Sequence, residues 1–176
     1  MNLKDKIVLF VIANKNFRDE ELIEPRRILE NSGVRTVIAS KNIGACFGKF
    51  GARAQASVSI DNLDVNIYHA IVFVGGPGSH DFWNDNAALN LVKSADIKGK
   101  IICSICSATG IIANAKIIRG KKVTGWNDTE ELIVKSGGIF SNTNIYISGR
   151  IITARGPSSS RKFGETILEA LKKDVS

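Results

Sequence analysis

GKIICSICSATGIIANAK, residues 99–116, decides the fold. Ile101, Ile102, Cys103 and Ile105 make an apolar run long enough for one buried parallel strand. From Ser107 onward the pattern is helical, with Ile111, Ile112 and Ala115 on the inner side. No loop residues separate the two, so the chain must turn sharply from strand to helix at Cys106. A turn that tight crowds its neighbours and asks for small residues two positions to either side. Those residues are Ser104 and Ala108, with Gly110 beyond. This is the pattern of a nucleophile elbow carrying a thiol in place of a hydroxyl. A cysteine there sits at a helix N-terminus, where unpaired amides and the helix dipole favour the thiolate. The competing reading is a buried structural cysteine, since free Cys is among the most buried residue types.

The pattern around this stretch is alternating. Residues 6–13 are a run of Ile, Val, Leu and Phe, as in a central strand buried on both faces. Residues 14–18 read as a polar loop, and Asp19 as the N-cap of a helix with Glu20 and Glu21 in its first turn. Pro25 is expected to bend that helix, and Asn31-Ser32-Gly33 to end it. A second strand over 34–40 completes a βαβ unit. A small hairpin and an extended segment follow, around 45–48 and 52–60. Further strands are expected over 68–74, 100–105, 121–124, 140–141, 145–148 and 151–154. Helices are expected over 85–95, 107–116, 128–136 and 158–172. Strands alternating with helices imply one doubly wound α/β domain over residues 1–176, with a mainly parallel sheet and helices on both faces.

Composition narrows the function classes. The chain has 176 residues, 44% hydrophobic and 23% charged, with a formal net charge of +7. The basic residues are scattered, as in Lys4/Lys6, Arg26/Arg27, Lys121/Lys122 and Lys172/Lys173, without interleaved aromatics. A solvated basic surface is therefore expected, and no nucleic-acid partner. No apolar run is long enough for a membrane span, and the N-terminal stretch reads as a strand, not a signal peptide. Three cysteines, an odd count, fit a reducing cytoplasm. No HExxH, paired CxxC or His cluster is present, so no metal is expected.

Ligands of such folds bind beyond the C-terminal ends of the strands. Three loops should meet there: 14–21, 75–80 and the elbow. Gly75 and Gly76 let backbone approach a ligand and aim N–H groups at it. The Gly76 and Ser107 amides can form an oxyanion hole beside Cys106, although a tight strand exit would ask for the same glycines. Glu21, near the same strand ends, can share a proton with the thiol, or it can simply complement the helix N-terminus as Glu20 would. Only His69 and His80 are available as imidazole bases. His69 lies at the far end of a buried strand, whereas His80 follows the glycine loop and can face the elbow.

FRDEELIEP (17–25), IVFVGGPGS (71–79), IICSICSATGIIANA (101–115) and ITARGPSSSRKFGETILEAL (152–171) together resemble the ThiJ/PfpI superfamily, a class I glutamine amidotransferase-like group. The resemblance runs in matching order along nearly the whole chain. It implies a flavodoxin-like three-layer sandwich, a homodimer and no cofactor. By position it implies Cys106 as nucleophile, Glu21 as the acid that hydrogen-bonds it, and Gly75, Gly76 and Ser107 as the oxyanion-side backbone. The protease-like branch has a histidine directly after the cysteine, where Ser107 stands here. The Parkinson-associated branch has one in the loop after the next strand, which here reads Thr124-Gly125-Trp126-Asn127-Asp128. His80 and Asp128 are the candidates to serve in their place. The function implied is a cysteine-dependent enzyme acting on small reactive carbonyls, of the glyoxalase III or deglycase type. The alternatives are a redox-sensing or chaperone-like stress-protection protein without turnover, and an intracellular protease or amidase.

Overall fold

Each apolar run becomes the middle of one layer in the computed structural model, which describes residues 2–174. In chain order the elements are β1 (Ile7–Val11), β2 (Lys15–Phe17), α1 (Asp19–Asn31), β3 (Arg35–Ser40), β4 (Gly44–Gly48), β5 (Arg53–Ala56) and β6 (Val58–Ser59). Then come β7 (Ala70–Phe73), α2 (Asn86–Ile97), β8 (Ile101–Ile105), α3 (Thr109–Asn114), β9 (Lys122–Val123) and α4 (Glu130–Lys135). The chain closes with β10 (Ile139–Phe140), β11 (Ile145–Ser148), β12 (Ile151–Ala154) and α5 (Ser160–Lys173). The main sheet runs β11-β12-β8-β7-β1-β3-β6, and every pair is parallel except β11 on β12. The inner order β3-β1-β7-β8-β12 is that of a flavodoxin-like fold, with its switch point beside β1.

Strand side chains alternate between two cores, as a pleat of period two requires. Val8, Phe10, Val72, Cys103 and Ile105 pack with Leu22 and Leu29 of α1 and with Phe163, Ile167 and Leu171 of α5. Leu9, Val11, Ile71, Phe73 and Ile102 pack with Leu91 and Val92 of α2, with Ile111 and Ile112 of α3, and with Ile133 of α4. Phe163, Ile167 and Leu171 recur every four residues and are all 0% exposed, each contributing roughly 1.5–3 kcal/mol by burial. Parallel register sets Val11 opposite Phe73 and Phe73 opposite Ser104, so the strand ends that carry the three loops lie side by side.

Three local expectations change. Residues 14–18 are not simply a loop: β2 pairs with β4, which pairs with β5, in a separate three-stranded sheet. Asp19 is not the N-cap of α1, which is Arg18. Asp19 is the first helical residue, and its carboxylate accepts from Phe50 N–H at 3.0 Å and Ala52 N–H at 2.7 Å, tying the β4–β5 turn to the helix start. α1 runs on past Pro25, and α5 packs closely against it there: a Cβ at Gly164 would lie 2.7 Å from Pro25 Cα. Residues 128–136 are not one helix; a 3-10 turn over Asn127–Thr129 precedes α4 and leaves Asp128 facing the elbow.

Candidate active site

The turn after β8 has the elbow's strain. Cys106 adopts φ 61°, a left-handed conformation that non-glycine residues rarely take and that costs roughly 1–3 kcal/mol. It opens a 3-10 turn, Cys106–Ala108, that runs into α3. Small neighbours hold the turn: Ser104 Oγ bonds Thr109 Oγ1 at 2.8 Å, and Thr109 Oγ1 donates to Thr124 O at 3.1 Å. Trp126 N–H donates to the carbonyl of Cys106 at 3.2 Å.

Glu21 reaches this turn from α1 and is fully buried. Its Oε2 accepts from Gly75 N–H at 2.9 Å. Its Oε1 has no hydrogen-bond partner, and Cys106 is the thiol whose titration is coupled to this carboxyl. Burial pushes the Glu21 carboxyl up to about 8. Cys106 is 7% exposed, and burial pushes its thiol up to about 12; the Glu21 charge adds to the rise, while the Ser107 and Gly76 amides that bond the sulfur oppose it. This corrects the expectation of an open thiolate favoured by the helix dipole: desolvation outweighs the dipole of a nine-residue turn and helix. The two groups titrate as a pair. The first proton leaves the pair near pH 8, and the second leaves only at the expense of packing two anions together.

Of the three backbone groups named from the sequence, Gly76 and Ser107 face sulfur, whereas the Gly75 N–H is already given to Glu21. Gly75 matters by having no side chain. A Cβ there would lie 2.5 Å from Glu21 Oε2, 2.6 Å from Ile105 O and 2.7 Å from Cys106 Cβ. Gly75→Ala is therefore expected to destabilise the fold by about 1–3 kcal/mol and to slow alkylation of Cys106 by iodoacetamide roughly tenfold. Thermal denaturation and mass-spectrometric labelling check the two effects. Glu20, one residue away, is engaged elsewhere: Arg18 Nε donates to its Oε2 at 2.7 Å, and the Arg18 guanidinium lies over the Phe50 ring.

His80 and Asp128 meet in the cavity that Cys106 also lines. Asp128 Oδ2 accepts from Ser107 Oγ at 2.7 Å and lies 2.7 Å from His80 Nε2. His80 Nδ1 is 3.0 Å from Pro77 O, and Cys106 Sγ is 3.9 Å from Ser107 Oγ. Trp83, which the sequence reading passed over, braces both loops: its Nε1 donates to Ser107 O at 2.8 Å and its ring meets His80 edge-on at 4.4 Å. Its only trace in the sequence is its place shortly after the glycine loop. His69 is remote from this site, its Nδ1 accepting from Ile7 N–H at 3.1 Å.

A cavity of about 270 Å³ joins Cys106, Ser107, His80 and Asp128 with Arg18 and Trp126. Larger hollows of about 640 and 740 Å³ are lined by no cysteine or histidine, so this one is where Cys106, His80 and Asp128 converge. Among the described residues no group of three or more His, Cys, Asp and Glu is placed to hold a metal ion, and no helix is long and apolar enough to cross a membrane.

A model of the DJ-1/PfpI family matches residues 6–170. An uncharacterised protein of Methanocaldococcus jannaschii is 37% identical over 98% of this chain and 86% of its own. A protein named a deglycase in Pyrococcus horikoshii is 26% identical over 94% of this chain and 99% of its own. The solved structure of a ThiJ/PfpI domain protein from Brachyspira murdochii superposes with a TM-score of 0.93, at 33% identity, over 95% of this chain and 96% of that one.

Proposed function

The chain belongs to the DJ-1/PfpI family, and from that premise we propose that it is a cysteine-dependent enzyme acting on small reactive carbonyl compounds such as 2-oxoaldehydes. The observation that carries this reading is the Glu21–Cys106 pair, a buried carboxyl and a buried thiol titrating together at a strained elbow. The names of relatives point the same way, to deglycase and cysteine-protease chemistry. A cavity of about 270 Å³ suits a substrate of a few heavy atoms better than a peptide.

The step is an addition. Cys106 sulfur attacks the aldehyde carbon as its S–H proton passes to the Glu21 carboxylate, the C=O electron pair moves to oxygen, and Glu21 passes that proton on to the oxygen. The product is a hemithioacetal. Moving the aldehyde hydrogen to the neighbouring carbonyl carbon, and the hydroxyl proton to that carbonyl's oxygen, gives a thioester of a 2-hydroxy acid, and water releases the acid. The whole conversion is redox-neutral and consumes one water. The peroxide-sensing alternative asks for an exposed thiolate, and burial of Cys106 argues against it.

The test is formation of lactate from methylglyoxal by the purified protein. Production above the buffer rate is expected; none above it would overturn the reading.

A further inference from the structure

We propose that the mouth of the Cys106 cavity is an anion subsite, and that the carbonyl substrates it selects carry a carboxylate or phosphate group held by Arg18 and Lys49. The proposal rests on the reading of Cys106 as nucleophile toward carbonyl compounds, and it narrows the class of compound.

Arg18 and Lys49 line this cavity together with Cys106. They come from different segments, the start of α1 and the β4–β5 turn, and one ring joins them. The Arg18 guanidinium lies 4.7 Å from the Phe50 ring centroid, and Lys49 Nζ lies 5.5 Å from it. Phe50 is 62% exposed, so its ring supports two cations at the surface and does not serve the core. The turn that carries Lys49 and Phe50 is tied down at both residues. Lys49 N–H donates to Phe17 O at 2.9 Å, and Phe50 N–H donates to the Asp19 carboxylate at 3.0 Å. Two like charges are thus held near one another on a fixed frame, an arrangement that costs Coulomb energy until an anion joins it.

The charge there is only partly answered. Glu20 bonds Arg18 through Nε at 2.7 Å and Nη2 at 3.5 Å, which leaves Nη1 without a partner among the described residues. Lys49 Nζ has the Phe50 ring as its contact and no carboxylate partner among the described residues. Asp128, the acidic residue lining the cavity, has its Oδ2 already set between Ser107 Oγ and His80 Nε2, each at 2.7 Å. Burial holds the Glu21 carboxyl up at about 8 and the Cys106 thiol up at about 12, so near pH 7 the floor of the cavity carries little charge. An uncharged floor therefore lies beneath a mouth with surplus positive charge. A carbonyl compound with a negative group enters with its carbonyl toward sulfur and its charge toward Arg18 and Lys49. A neutral compound of the same size offers those donors nothing to hold.

Iodoacetate and iodoacetamide make a matched test, since they differ in charge and little in size. Both draw on the same sulfur in the same protonation state, so the acidity of Cys106 cancels from the ratio of their rates. That ratio is expected to be at least about fivefold higher for Cys106 in the native protein than in the urea-unfolded chain, and to fall toward the unfolded value in about 1 M sodium chloride. Lys49→Gln and Arg18→Gln are each expected to lower it by about threefold or more. Inorganic phosphate is expected to shift the amide signals of Lys49 and Phe50 in proton–nitrogen NMR spectra, where chloride at equal ionic strength does not. A 2-oxoaldehyde ending in a phosphate is expected to be turned over with a kcat/KM at least about tenfold above that of methylglyoxal. A native ratio no higher than the unfolded one, or a ratio that neither variant lowers, would overturn the proposal. If Cys106 takes up neither reagent, the absence of phosphate-dependent shifts would overturn it. Failure of the carbonyl reading shows differently, as a raised iodoacetate ratio with no hydroxy acid formed from either 2-oxoaldehyde.

Discussion

Cys106→Ser is expected to reduce lactate formation from methylglyoxal by on the order of 10³-fold or more, to the buffer rate. The pair at the elbow works because burial raises the proton affinity of the Glu21 carboxylate, which can then take the Cys106 proton as the sulfur attacks. A serine hydroxyl is far less acidic, so the proton stays on oxygen and the nucleophile is never formed. The substitution changes one atom, and the backbone at φ 61° is already held by the segments around it, so the variant is expected to fold. Cys46 and Cys103 serve as internal controls. Both are fully buried, and desolvation raises the Cys103 thiol even further than that of Cys106. Neither should alkylate in the native protein, and both should do so after unfolding. Retained turnover in Cys106→Ser would place the chemistry elsewhere.

Glu21→Ala is expected to slow alkylation of Cys106 at about pH 8 by roughly 10- to 100-fold, the worth of a lost general base. In the wild type the first proton leaves Glu21 near pH 8, and the carboxylate that remains takes the thiol proton as the sulfur reacts. The second proton leaves the pair only by creating a dianion. Removing the carboxyl removes the acceptor, and the lone thiol, freed of the Glu21 charge, is expected to titrate below the second wild-type step. Glu21→Gln also lacks the acceptor and should slow as much, whereas Glu20→Ala should leave the profile in place because Glu20 is bonded to Arg18. Equal shifts in Glu20→Ala and Glu21→Ala would show that both acids act only through the start of α1.

The same carboxyl sets a pH dependence of stability. Its folded value is raised from the ordinary 4.5 to about 8, so the native state holds a proton that the unfolded chain has released. The contribution of this carboxyl to stability is expected to fall as pH rises from about 4.5 to about 8 and to level off above that, where the raised thiols of Cys103 and Cys106 extend the fall. Glu21→Gln should flatten this slope in denaturant titrations.

How much of this was legible in the sequence depends on how local each cause is. The elbow was readable because its constraint is local: a strand run, a helical run, no loop between, and small residues around Cys106. The parallel sheet was readable from its buried runs, and Glu21 from its place in the first turn of the first helix. Asp19 was misread, because a helix-start acid and an acid bonding the amides of a distant turn look alike in one dimension. The charge state of Cys106 was misread as well. A dipole follows from local sequence, but desolvation depends on everything packed above the sulfur. Trp83 left almost no trace, since its partners, Ser107 and His80, lie on separate segments.

Residue type and spacing, by themselves, determined that a thiol would stand at a strand-to-helix turn with backbone amides near it. Tertiary structure alone decided what would surround that thiol. Glu21, Ser107, Asp128 and His80 come together about the elbow from four segments of the chain, α1, the Pro77–Phe82 turn, the elbow and the Asn127–Thr129 turn. Hydrogen bonds act over about 3 Å. No pattern along a chain fixes distances that short until parallel register has set the strand ends, and the loops they carry, side by side.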